Sequence, residues 1–145
     1  MMRSFLMLLP VLTGVASALQ AATNSGMALR TNLSTVLLIN IAGTLVAAAA
    51  LVAVPGARPV WPPAGTPGTL FLGGVYGFII VIGLAWAFPR FGGAWTIALF
   101  VLGQGATALA VDHFGWLGQA RDPLSLARGA GMSLVVIGVL LLRWR

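Results

Sequence analysis

The feature that most constrains this chain is the spacing of its charges: eight arginines and two aspartates punctuate 145 residues and leave five long, almost unbroken apolar stretches between them. A helix needs about 20 consecutive apolar residues to cross the hydrocarbon core of a bilayer. The stretches at about 4–22, 33–54, 69–88, 92–111 and 124–142 meet that requirement. They are continuous and do not alternate at period two, so a membrane β-barrel is excluded. The expected fold class is all-α: a polytopic five-transmembrane-helix bundle filling residues 1–145 as one domain. With 59% hydrophobic and 7% charged residues, against roughly 25% charged in soluble domains, no room is left for a second, soluble domain.

Each break between stretches has its own chemistry. Arg3, the run Phe5 to Val15 and the small residues Ala16, Ser17 and Ala18 imitate a secretory signal peptide, but more membrane segments follow instead of a secreted domain, so a retained helix is expected. Pro55 and Gly56 stop the second stretch, and five prolines between 55 and 68 favour an extended, solvated linker over helix. Pro89 and Arg90 end the third stretch, leaving Phe91 and Gly92 for a tight hairpin into the fourth. Arg128, near the start of the fifth, is placed to snorkel to the surface.

The net charge of +6 comes without a single lysine or glutamate. A nucleic-acid partner is not expected, because the arginines do not cluster; they separate the apolar runs and can meet lipid phosphates. With five spans, Arg3, Arg58, Arg121 and Arg128 fall on the side of the N-terminus, and Arg30, Arg90, Arg143 and Arg145 on the other. The excess that orients a membrane protein is therefore 4 − 4 = 0. The bland explanation is a weak bias that other signals settle, or a miscounted helix. The sharper one, which we favour, is that the chain inserts both ways round and opposite copies pair as an antiparallel homodimer. That is the two-chain counterpart of the inverted repeats in many transporters, whose solute sites lie near the midplane.

Polar groups inside the apolar stretches supply the candidate site. Gln20 and Asn24, four apart, share a helix face; Asn40 and Gln104 sit deep in the second and fourth stretches. An amide facing lipid leaves its donors and acceptor unsatisfied, so each should turn to a partner helix or a hydrated cavity. As simple interhelical glue each contact is worth roughly 1 kcal/mol; if the amides converge they form a lining for a polar solute. Tyr76 is a further candidate, although core packing is its simpler role. Asp112 and His113, at the end of the fourth stretch, are candidates for a proton-linked gate, against the plainer role of capping a helix near the headgroups. Small residues at Gly14 and Ala18, Gly73 and Gly77, and Gly131 and Gly138 are expected to let helices approach closely. Trp61, Trp116 and Trp144, at span ends or in loops, read as an aromatic belt.

Signals for catalysis are absent from the sequence. One histidine, two separated aspartates and no cysteine cannot assemble an ordinary zinc or hydrolase site, so no metal or cofactor is expected. Gly103 to Ala108 matches the dinucleotide pattern G-x-G-x-x-A formally, but mid-span and without the strand that pattern needs.

Taken together, Gly14 with Gln20 and Asn24, Asn40 with Gly43, Leu72-Gly73-Gly74, Gly103-Gln104 and Asp112-His113-Phe114-Gly115 resemble the YdcZ-type family of bacterial inner-membrane proteins. The similarity covers nearly the whole chain, and the Gly-Gln element followed by Asp-His-Phe-Gly is its most specific part. The resemblance implies the drug/metabolite transporter superfamily, a location in the bacterial inner membrane, and a five-helix unit that occurs singly, as oppositely oriented pairs or in tandem. Singletons of such a family are expected to be dual-topology homodimers. Carried over position by position, the motifs mark Gln20, Asn24, Asn40, Gln104 and Asp112. The related small multidrug exporters exchange protons for cations at a glutamate in the first helix, and this chain has none.

The expectation is a half-size secondary transporter or exporter of a small polar organic solute, working by alternating access amid membrane lipids. A non-transporting accessory or scaffold protein, with the amides as glue alone, is the first rival. A membrane enzyme acting at Asp112 and His113 is the second.

Overall fold

A computed structural model of the chain describes residues 8–57 and 59–143. The expectations for Arg3, Arg58, Trp144 and Arg145, and for the head of the signal-like segment, lie outside the described residues. Every regular element among the described residues is helical: α1 (Leu8–Arg30), α2 (Leu33–Val52), α3 (Gly73–Phe91), α4 (Gly93–Phe114) and α5 (Leu126–Arg143), with short 3-10 turns at Gly68–Phe71 and Trp116–Gly118. The chain is all-α, and α2 to α5 are long and apolar enough to cross a membrane. The described part of α1 is not in that set; Gln20, Thr23, Asn24 and Ser25 dilute its apolar character.

The helices end where local chemistry stops them, which is not always where hydrophobicity does. α1 runs on to Arg30 instead of ending near Ala22, because its polar residues are satisfied within the structure and do not break the backbone. Arg30 Nη1 donates to the Gly26 carbonyl at 3.0 Å, and Thr31 Oγ1 donates to that of Met27 at 2.8 Å. A two-residue turn follows, and Asn32 caps α2 by accepting from the Thr35 N–H at 2.9 Å. The signal-like Ala16-Ser17-Ala18 lies in unbroken helix. α3 continues through Pro89 to Phe91 before Gly92, at φ +81°, breaks it. α4 gains a turn beyond Val111 and closes on Gly115, at φ +66°, whose N–H donates to the Val111 carbonyl. Among the described residues from Pro55 to Pro67 there is no regular helix, and Val60 and Trp61 are about nine-tenths exposed.

The chain divides into two compact units, residues 1–86 and 87–145. In the first, α1 packs on α2; Ala21 and Ser25, one turn apart on α1, and Val36 on α2 are buried. In the second, α4 packs on α5, and Gly105 lets Met132 come so close that a Cβ at that position would lie 2.7 Å from the thioether methyl carbon. Most other large apolar side chains are exposed, as befits helices whose solvent is lipid. One expectation needs correcting here. Apart from chain neighbours and the helix's own backbone, no described atom of the same unit lies within 4 Å of a Cβ built at Gly14, Gly73, Gly77, Gly131 or Gly138, so within their units these are not points of close helix contact; Gly105 is.

Candidate functional site

In the first unit three of the amides meet. The four-residue spacing places Gln20 and Asn24 on the face of α1 that looks toward Asn40 of α2. Gln20 Nε2 donates to Asn40 Oδ1 at 3.0 Å. Asn40 Nδ2 donates to Asn24 Oδ1 at 2.9 Å and to the Val36 carbonyl at 2.9 Å, and Asn24 Nδ2 returns a weak bond to Asn40 Oδ1 at 3.5 Å. Asn40 is the hub. An amide has two N–H groups and two carbonyl lone pairs, and on Asn40 all four are engaged.

The hub borders an open cavity of about 620 Å³. Gln20 from α1 and Leu37, Asn40, Ile41, Thr44 and Leu45 from α2 form one wall; Gly73, Gly74, Gly77, Phe78, Ile80 and Val81 from α3 form the other. The glycines, which offer no side chain, leave the α3 wall open near its start. Thr44 was not foreseen, although it stands one helical turn after Asn40 and the same periodicity that joined Gln20 to Asn24 would have found it. Its hydroxyl donates to the Asn40 carbonyl at 2.8 Å.

The other candidates lie elsewhere. Tyr76 is 53% exposed and is not among the residues that wall the cavity. Gln104 is an exposed residue of α4, in the second unit.

Asp112 and His113 occupy the last turn of α4, within a knot tied by the loop that follows. Arg128 Nη1 lies 3.6 Å from Asp112 Oδ2, and Arg128 Nη2 pairs directly with the Asp122 carboxylate. The guanidinium thus joins two carboxylates instead of merely snorkelling. His113 Nδ1 accepts the Leu124 N–H at 3.1 Å, its carbonyl accepts Arg121 Nε at 3.1 Å, and its ring meets Phe114 edge-on at 4.7 Å. The Asp112 carbonyl takes the Asp122 N–H at 2.8 Å. Among the described residues no group of three or more His, Cys, Asp or Glu side chains is placed to hold a metal ion.

Against known proteins, the model of the family described as "Putative inner membrane exporter, YdcZ" matches residues 5–141. No curated protein and no solved structure matches the chain.

Proposed function

The chain belongs to the YdcZ family of inner-membrane exporters, and from that premise we propose that it is a half-size secondary transporter that carries a small organic solute past Gln20, Asn24 and Asn40. Family membership and the membrane-length helices make it a multi-pass inner-membrane protein, and the family's description as an exporter supports a transporter over an enzyme. The observation that carries the finer reading is the convergence of three amides from two helices beside a cavity. Amides in a hydrocarbon environment need partners, and Gln20, which lines the cavity, spends one N–H on Asn40 and keeps the rest of its bonding capacity.

The transporting unit in this reading is an antiparallel homodimer working by alternating access. Its support is the even division of arginines that results when α1 crosses as a fifth span, and the openness of a cavity that one chain's helices leave unclosed. A second copy, inserted the opposite way, would provide the missing wall and the symmetry that alternating access exploits. Reporter fusions at the C-terminus, read separately for each side of the membrane, should score on both; signal from one side alone removes the dual-topology part. Flux from proteoliposomes should fall at least about tenfold with Gln20→Ala, which deletes one charge-free polar contact. Unchanged flux would take Gln20 out of the solute path, and Gln104→Ala tests the amide of the second unit in the same way.

The scaffold reading draws on the saturation of Asn40, which is what glue requires. It predicts no flux and a stable protein partner on affinity purification. Action as an enzyme at Asp112 and His113 has less support, since both are tied into the helix end; intact transport after replacing both residues would argue against it.

A further inference from the structure

Resting on the reading of this cavity as the solute site, we propose that the solute is a neutral amphiphile that donates hydrogen bonds: an apolar body bearing an N–H or O–H group and no net charge. The argument is an inventory of what the cavity still has to offer. Among the described residues, none in the wall that one chain supplies is ionisable. An organic cation or a carboxylate entering it would give up hydration without meeting a counter-charge, and a desolvated, unpaired ion is far costlier to hold than a neutral group.

The remaining hydrogen-bonding capacity is one-sided. Asn40 is saturated by Gln20, Asn24 and the Val36 carbonyl, so it is a positioning residue that aims Gln20. Gln20 has used one N–H and retains its other N–H and both lone pairs of Oε1. Thr44 has committed its hydroxyl proton to the Asn40 carbonyl and retains its lone pairs. The cavity therefore presents four lone pairs against one N–H, and a solute that donates finds four acceptor sites where one that only accepts finds a single donor. Leu37, Ile41, Leu45, Phe78 and Val81 surround these two polar groups, so the remainder of the solute is apolar. A volume of about 620 Å³ falls in the range of ordinary small-molecule pockets.

A matched series tests this with the full-length chain in lipid nanodiscs: radiolabelled 3-phenylpropanamide, its N,N-dimethylamide, 3-phenylpropanoate and 3-phenylpropyltrimethylammonium. The primary amide should bind at least about tenfold more tightly than each of the others, a difference of about 1.4 kcal/mol. Gln20→Met, which keeps the length of the side chain and removes its polar atoms, should bring the primary amide down to the level of the dimethylamide. Thr44→Val should weaken the primary amide by a few-fold and leave the dimethylamide unchanged. Tighter binding of the ammonium or the carboxylate would overturn the solute class while leaving the transporter reading intact. Equal binding of the two amides would overturn the requirement for a donor. Binding of none of the four would overturn both the class and this cavity as the solute site.

Discussion

The two units treat their polar residues in opposite ways. In the first, uncharged amides on α1 and α2 bond to one another within an apolar setting, and the outermost, Gln20, is left with free capacity beside a cavity. In the second, charged side chains at the end of α4 are paired with one another and with backbone groups of the following loop. Polar atoms deep in a membrane segment are costly unless partnered, so capacity left unspent there is the better marker of a ligand. Charges near a helix end can be met by water and headgroups, and their mutual pairing reads as architecture.

This contrast can be broken by substitution. The largest effect is expected at Asn40→Ala, which removes the hub and its bonds to Gln20 and Asn24; at roughly 0.6 kcal/mol per such bond in a membrane, the loss is about 2 kcal/mol, read as a lowered thermal unfolding midpoint in detergent, and solute binding should fall with it. Arg128→Gln should cost less, about 1 kcal/mol, since both of its ion pairs are partly exposed. That loss should shrink at high salt and leave solute selectivity untouched; a changed selectivity would move the knot into the transport machinery. Gly105→Ala presses a methyl group on the mobile end of Met132, and the thioether can swing aside, so the cost should stay below about 1 kcal/mol. Tyr76→Phe should change neither stability nor binding, because the phenol stands outside the cavity wall.

Much of this was legible in the sequence because a bilayer imposes its requirements on composition. Helical class followed from the length of the apolar runs, and a four-residue spacing with the cost of an unpaired amide gave Gln20 and Asn24 a shared face and a need for partners, though not that Asn40 of α2 would be the partner. Helix ends were less legible. Hydropathy closed α1 near Ala22, yet the backbone continues to Arg30, since Asn24 and Ser25 are polar by type but satisfied or buried in place. Arg128 looked like a lone cation near the membrane surface, because its partnership with Asp112 and Asp122 depends on how the loop from Gly115 to Ser125 folds back. The backbone there takes positive φ at Gly115, Leu117 and Gly118, a path that no helical periodicity encodes. The glycine pairs misled for a related reason: spacing shows that a smooth face exists, and does not show what lies against it.

The absence of cysteine in the chain permits a direct test of whether the amide cluster faces a water-filled cavity. Single cysteines at Gln20, at Thr44 and at the lipid-type position Leu38, which is 67% exposed, would be challenged in native membranes with a charged, membrane-impermeant thiosulfonate. The account predicts prompt modification at 20 and 44, inertness at 38, and protection of 44, where Gln20 is intact, by 3-phenylpropanamide. Equal inertness at all three positions would contradict it, and would make Gln20, Asn24 and Asn40 a dry clamp between two helices.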